Sequence, residues 1–213
     1  MKLKPVASNQ KPYLQPCAII DWRQPQVLEQ ARRLTNSLNS EKAIAQRCFE
    51  WVRDEIRHSW DYRQGPVTCR ASEVLRHGTG FCYAKAHLLA ALLRANGIAA
   101  GLCYQRLSLE GNGSPYCLHG LTAVYLQEHG WYRVDPRGNK ADVDARFDPP
   151  REYLAFDIFQ QMEWDFVEIY PRPLPVVIDA LRKNDSIQAL YRNLPDREPT
   201  DLGSAGDCQG NAD

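Results

Sequence analysis

The chain has 213 residues, of which 44% are hydrophobic, and this is enough to bury one sizeable core. Lysine plus arginine total 26 and aspartate plus glutamate total 26, so the net charge gives no reason to expect a nucleic acid, an anionic membrane or a strongly acidic substrate. No stretch approaches the roughly 20 apolar residues of a membrane helix, and the N-terminus lacks the apolar run of an export signal. The composition predicts a soluble, cytoplasmic protein of one domain.

Seven cysteines are spread along the chain without close pairs. A disulfide framework or a zinc site would normally place cysteines at recognisable short spacings, and none of these spacings is present. We therefore expect free thiols in a reducing compartment, with no metal and no cofactor.

The first half of the sequence predicts a proline-rich lead-in followed by helices. Residues 17–21 form a candidate strand within the lead-in. Apolar side chains recur at helical spacing over residues 26–36 and 40–57, and the second stretch opens on Ser40, a good N-cap. A shorter helix is expected over residues 71–76, where a glycine follows.

The second half combines one unusually apolar helix with a set of strands. Residues 83–95 are apolar on nearly every side, which predicts a helix buried in the middle of the domain. The period then changes to two, and this predicts an antiparallel sheet with strands over residues 98–107, 118–126 and 131–134.

The C-terminal part is less regular. The pattern predicts a loop over residues 142–150, a helix or strand near 152–159, a strand over 164–170 and a helix over 176–193. Low hydrophobicity at the end of the chain predicts disorder. We therefore expect one α+β domain over residues 1–195 and a disordered tail over residues 196–213.

Cys82 is the candidate nucleophile, because it lies at the first turn of the buried helix. A thiol attacks an acyl carbon only as the thiolate, and the unpaired N–H groups and positive dipole end of a helix N-terminus stabilise that anion. The same N–H groups are placed to stabilise a tetrahedral oxyanion, while Gly78 and Gly80 leave room for a substrate backbone. The alternative is that Cys82 is a small buried hydrophobic residue.

His119 and Asp135 are the candidate base and orienting acid. His119 begins one predicted strand and Asp135 closes the next, so antiparallel pairing across the turn at residues 128–130 can bring them together. Their distances from that turn are unequal, and we expect a bulge or a slip in register to absorb the difference. An orienting carboxylate fixes the imidazole tautomer in such triads. A structural histidine and a zinc site made of these three residues are the alternatives.

Three segments in order resemble the motifs of the transglutaminase-like superfamily. The segment from Gly80 to Ile98 resembles the nucleophile helix of that family, and His119 with its strand resembles its second motif. The sequence WYRVDP, in which Asp135 is the acid, resembles the third. The resemblance covers residues 71–147 and is closest to compact single-domain bacterial members. It implies an α+β, papain-like fold with a buried nucleophile helix on an antiparallel sheet, a Cys–His–Asp triad and a thioester intermediate.

Further site residues are predicted from their positions beside the triad. Papain-like sites draw a second oxyanion donor from the region before the nucleophile, which points to the indole N–H of Trp60, although packing of the ring is the alternative. Gly80, Tyr83 and Arg137 neighbour the nucleophile or the acid and are predicted to contact substrate. A solvated turn is the alternative for Arg137.

The predicted activity is thiol-dependent acyl transfer on a peptide or protein amide. Water as the acceptor gives a cysteine protease or amidase, and an amine gives a transglutaminase. We favour hydrolysis, because nothing visible excludes water from a chain this compact. A non-catalytic binding or scaffold protein that retains the fold is the main alternative, supported by Leu121 at a position where the family often has tryptophan. A cell-wall peptide amidase of the other papain-like bacterial type is a third interpretation.

Overall fold

The helices form close to where apolar periodicity and capping residues predict them. The structure is a computed structural model that describes residues 1–159 and 161–198. Its helices are α1 (Pro25–Thr35), α2 (Glu41–Glu55), α3 (Ala71–His77), α4 (Cys82–Ala95), α5 (Pro175–Lys183) and α6 (Ile187–Arg192). Ser40 caps α2 as predicted, since its Oγ accepts a hydrogen bond from the N–H of Ala43 at 3.0 Å.

The strands form one main sheet and three small pairs. They are β1 (Lys4–Pro5), β2 (Arg57–His58), β3 (Thr79–Gly80), β4 (Ala100–Ser108), β5 (Tyr116–Leu126), β6 (Gly130–Val134), β7 (Arg146–Asp148), β8 (Arg151–Tyr153), β9 (Trp164–Asp165) and β10 (Glu168–Ile169). The main sheet is antiparallel with the order β6-β5-β4-β9. The pairs β1–β10 and β2–β3 are parallel, and β7–β8 is antiparallel.

Helix α4 is the centre of the core. It packs on β4 and β5 on one side and against α1, α2 and α3 on the others, so every residue from Cys82 to Arg94 is buried. This explains why its sequence shows no polar face. The α+β fold with a buried helix on an antiparallel sheet is confirmed.

Three polar side chains in α4 are buried and bind backbone carbonyls of neighbouring segments. The ammonium of Lys85 donates to the carbonyls of Ile56 and of Arg53, the latter at 3.2 Å. His87 Nδ1 lies 2.8 Å from the carbonyl oxygen of Cys69, and Arg94 donates to several carbonyls. Since a buried polar group is costly unless it is hydrogen-bonded, these residues fix the loops around α4 rather than serving as ligands.

Several predicted elements in the irregular parts of the chain are wrong. Residues 17–21 form a turn instead of a strand, with the N–H of Cys17 donating to the carbonyl of Ile20 at 3.2 Å. The helix predicted over residues 176–193 is split into α5 and α6, because Ser186 caps a new helix by accepting a hydrogen bond from Ala189 N–H. The predicted strand over residues 164–170 is two short strands with different partners, β9 and β10.

The first residue of the predicted tail contacts the domain. Asp196 makes a bidentate ion pair with Arg106, at 2.8 and 2.7 Å, and the carbonyl of Pro195 accepts a hydrogen bond from the N–H of Leu118 at 2.7 Å. The rest of that prediction, residues 199–213, lies outside the described residues. Among the described helices, none has the length and apolarity that crossing a membrane requires.

Candidate active site

The N-terminus of α4 presents Cys82 to a cleft. The N-cap residue Phe81 has an extended backbone, and its carbonyl accepts the first helical hydrogen bond from Lys85 N–H. The N–H of Cys82 therefore lies in the first turn of the helix. Backbone N–H groups in the first turn have no carbonyl partner within the helix. The residue is 3% exposed and lines a cavity of about 620 Å³ together with His119.

The strand register brings His119 and Asp135 together without a bulge. The β5–β6 ladder is regular from Leu126–Gly130 to Thr122–Val134. Extended by one residue, it places Asp135 opposite Leu121, and His119 lies two residues further along the same face of β5. Diagonal neighbours of this kind are within reach of long side chains. The predicted bulge or slip in register is therefore wrong, because the side chains of His119 and Asp135 reach each other diagonally across a regular ladder.

Asp135 is fully buried and accepts three hydrogen bonds. His119 Nε2 lies 2.7 Å from Oδ2, the N–H of Ala155 donates to the same oxygen at 3.0 Å, and the N–H of Arg137 donates to Oδ1 at 3.0 Å. Burial by itself would raise the pKa of this carboxyl, but the charge and hydrogen bond of His119 and the two backbone donors lower it. The carboxylate thus stays ionised and holds the imidazole by Nε2.

The thiol and the imidazole favour the charged pair. Burial would raise the pKa of Cys82, but the charge of His119 and hydrogen bonds from His119 and His58 lower it to about 6. Burial would lower the pKa of His119, whereas Asp135 and the Cys82 thiolate raise it to about 10. Between these two values the site holds a thiolate beside an imidazolium.

Other described thiols are in the opposite electrostatic environment. Burial raises the pKa of Cys69 to about 11 and those of Cys48 and Cys117 to about 12, and it also raises the pKa of Cys103. In these thiols burial outweighs any nearby charge, and buried thiols of this kind are unreactive. Cys117 also lines the cleft, so Cys82 differs from all four in the histidines that lower its pKa.

A second histidine at the thiol was missed by the sequence analysis. His58 lowers the pKa of Cys82, lines the same cleft and is 5% exposed. The second helix was predicted to run to residue 57, but α2 stops at Glu55 and the chain enters β2. A two-residue strand has no period to detect, so the sequence carried no local signal for it.

Two residues predicted to contact substrate are buried within the protein. Tyr83 is 1% exposed, and its hydroxyl donates to the carbonyl of Leu118. Gly80 belongs to β3, and its carbonyl accepts a hydrogen bond from Ser59 N–H. A Cβ at Gly80 would lie 3.2 Å from Ala84 Cβ, so the glycine makes room for the protein's own helix rather than for substrate.

The remaining two predicted residues line the cleft but are engaged by other side chains. Arg137 is 7% exposed, and its guanidinium holds Asp61 through contacts of 3.0 and 2.8 Å. Trp60 is stacked on Tyr191 at 3.6 Å between ring centroids, with the guanidinium of Arg63 3.5 Å from its centroid. Arg137 therefore connects the two acids, since its guanidinium binds Asp61 and its backbone N–H donates to Asp135. Trp60 forms part of the cleft wall.

The cleft is lined by both apolar and charged side chains. The apolar ones include Leu107, Leu109, Leu118 and Leu194, and the exposed charged ones include Lys140, Asp142 and Asp157. No three histidine, cysteine, aspartate or glutamate side chains cluster as metal ligands within residues 1–159 and 161–198.

Gly120 is required where β5 crosses the start of α4. A Cβ at Gly120 would lie 2.8 Å from Tyr83 Cδ1 and 3.0 Å from Tyr83 Cα, so the backbone next to Cys82 would have to move. We expect Gly120→Ala to reduce the free energy of unfolding by about 1–3 kcal/mol, as overpacking usually does, measured by denaturant unfolding. Gly65→Ala is the control, since a Cβ there meets nothing within 4 Å. Equal stability of the two variants would contradict the prediction.

Solved structures with a similar fold are distant in sequence. A candidate cysteine protease from Cytophaga hutchinsonii is 18% identical, with a TM-score of 0.49, and the match covers 64% of this chain and 46% of that chain. The periplasmic domain of TgpA from Pseudomonas aeruginosa is 24% identical, with a TM-score of 0.43, and the match covers 58% of this chain and 45% of that chain. The chain thus spans less than half the length of these structures. No curated protein matches it significantly.

A family model described as the transglutaminase-like superfamily matches residues 29–136. This range is more than half of the chain. It begins in α1, contains α2, α3, α4 and the β4–β5–β6 part of the sheet, and takes in Cys82, His119 and Asp135. The chain belongs to the transglutaminase-like superfamily.

Proposed function

We propose that this chain is a cysteine enzyme that cleaves amide or peptide bonds through a thioester on Cys82. One observation carries the proposal: the thiol that begins the buried helix shares a cleft with His119, whose Nε2 lies 2.7 Å from the buried carboxylate of Asp135. Nucleophile, base and orienting acid in contact are the recurring arrangement of acyl-transfer enzymes.

The first half of the reaction forms the thioester. The Cys82 thiolate attacks the carbonyl carbon, a C–S bond forms, and the electron pair of the carbonyl moves to oxygen. As the tetrahedral intermediate collapses, the C–N bond breaks and the His119 imidazolium gives its proton to the leaving amine. Asp135 keeps the imidazole oriented throughout and stabilises its cationic form.

The second half of the reaction regenerates the enzyme. Neutral His119 takes a proton from water as the water oxygen attacks the thioester carbon. The C–S bond then breaks, and the acid product leaves the Cys82 thiolate beside protonated His119. An amine in place of water would give amide exchange by the same steps. Exposed charged side chains are part of the cleft lining, and a solvated lining of this kind supports hydrolysis.

The position that distinguishes this chain from many members does not reach the cleft. Leu121, where the resemblance to the family leads us to expect tryptophan, is fully buried in an apolar cluster with Tyr13 and Ile169. It is absent from the cleft lining. The substitution therefore gives no support to a non-catalytic scaffold, and we propose a peptide or protein amide as the substrate.

The proposal is tested by supplying acyl donors with and without an amine. Peptide 4-nitroanilides and glutamine-containing peptides are incubated with the protein in water, and then with added methylamine, and the products are identified by mass spectrometry. We expect the carboxylic acid as the main product in both conditions. Predominant incorporation of methylamine would show a transglutaminase instead. Absence of turnover and of any thioester mass on Cys82 with every donor would contradict both.

A further inference from the structure

A second histidine–aspartate pair faces the nucleophile. His58 lines the same cleft as Cys82, and its Nδ1 lies 3.4 Å from Oδ2 of Asp61. That separation is long for a hydrogen bond but close enough for charge attraction, and contacts of this kind often tighten when substrate binds. The mechanism above assigns His119 and Asp135 to proton transfer and leaves this pair without a role.

The backbone holds His58 in place relative to the nucleophile. In the parallel β2–β3 pair, His58 lies beside Gly80, and the N–H of Ser59 donates to the carbonyl of Gly80 at 3.0 Å. The buried ammonium of Lys85 binds the carbonyl of Ile56 just before β2. The His58 ring also packs against Phe81, with 5.0 Å between ring centroids. The imidazole is thus fixed by the residues that immediately surround Cys82.

Arg137 links the two histidine–aspartate pairs. Its guanidinium binds the carboxylate of Asp61, and its backbone N–H binds the carboxylate of Asp135. His58 and Arg137 hold the pKa of Asp61 well below its usual range, although burial would raise it. Asp61 is therefore a carboxylate at neutral pH, and it can orient the ring of His58 as Asp135 orients that of His119.

We propose that His58, oriented by Asp61, donates the side-chain hydrogen bond that stabilises the oxyanion of the tetrahedral intermediate. The oxyanion lies on the carbon bonded to the Cys82 sulfur, and the His58 ring lines the same cleft and packs on Phe81, the residue before Cys82, which places it on the side of the cleft where the oxyanion forms. The backbone N–H of Cys82 supplies the companion donor. His58 takes the role that sequence position suggested for Trp60, whose ring is stacked between Tyr191 and Arg63.

The assignment rests on the proposed acyl transfer, and it is tested by comparing two reactions of the same thiol. Acylation by 4-nitrophenyl acetate passes through an oxyanion, whereas alkylation by iodoacetamide does not. Both rates are measured for the wild type, for His58→Leu, and for His58→Gln, which keeps an N–H donor. We expect His58→Leu to slow acylation roughly 10²-fold more than alkylation, and His58→Gln to recover most of that difference.

The outcomes separate this inference from the proposed function. Equal slowing of both reactions in His58→Leu would confine His58 to stabilising the thiolate and would overturn the oxyanion role. Unchanged acylation in that variant would overturn it as well. A wild-type Cys82 that resists both reagents would instead overturn the proposed acyl transfer, and the role of His58 with it. Far-ultraviolet circular dichroism checks that each variant is folded. If His58→Leu does not fold, His58→Gln is the test, and a variant that loses acylation but keeps alkylation would contradict the inference.

Discussion

Replacing Cys82 by serine is expected to abolish acyl transfer, with a loss of at least about 10⁴-fold in kcat. Serine is nearly the size of cysteine, so the packing at the start of α4 should persist. Its hydroxyl does not ionise near neutral pH, and a site that holds a thiolate beside an imidazolium cannot hold an alkoxide in the same way. Steady-state hydrolysis of a peptide donor gives the rate, and thermal unfolding checks the fold.

Cys17→Ser is the matched control for this loss. Cys17 is partly exposed and lies in the N-terminal turn, where its sulfur accepts a hydrogen bond from Ile20 N–H at 3.3 Å. It does not line the cleft of Cys82. The control should keep the wild-type rate. Activity retained in Cys82→Ser to within about 10-fold would contradict the assignment of the nucleophile.

Asp135→Asn is expected to reduce kcat/KM by roughly 10²–10⁴-fold and to move its dependence on pH. In the wild type, activity should rise as Cys82 loses its proton near pH 6 and fall as His119 loses its proton near pH 10. Without the carboxylate, the pKa of His119 falls, so a smaller fraction of His119 is cationic beside the thiolate. The pKa of Cys82 therefore rises. The rising part of the profile should therefore shift to higher pH in the variant.

The same substitution should also lower stability. The Asp135 carboxylate accepts hydrogen bonds from His119, Ala155 and Arg137, and an asparagine side chain presents an N–H₂ group to at least one of these donors. A buried donor left unpaired costs about 1–3 kcal/mol. Asp142→Asn, at an exposed position, is the control for stability. A wild-type pH profile in Asp135→Asn would contradict the role of this residue in orienting His119.

The sequence predicted the part of the site that lies on long, regular elements. Helix α4 and strands β5 and β6 have strong periods, so the placement of Cys82, His119 and Asp135 followed from pattern and order. Their catalytic roles, the peptide substrate and the cytoplasmic location remain proposals. The precise approach of His119 to Asp135 depended on a diagonal contact across two strands, which sequence spacing does not fix.

The parts of the site that the sequence did not predict depend on short elements and on tertiary contacts. His58 reaches the thiol through β2 and β3, which are two residues long and acquire their order by pairing with each other. Ala155 contributes a backbone N–H from an irregular segment. The burial of Tyr83 depends on the close approach of Gly120, a long-range contact. Local periodicity carries no information about such contacts.

The central claim, that Cys82 is a thiolate activated by His119, is tested most directly by its rate of alkylation with iodoacetamide. Modification of each cysteine is followed by peptide mass spectrometry between pH 5 and pH 9, in the wild type and in His119→Ala. Wild-type Cys82 is expected to react with a midpoint near pH 6, well below the buried thiols of Cys48, Cys69, Cys103 and Cys117, and His119→Ala is expected to lose this advantage. Equal reactivity of Cys82 and the remaining cysteines, or an unchanged profile in His119→Ala, would contradict it.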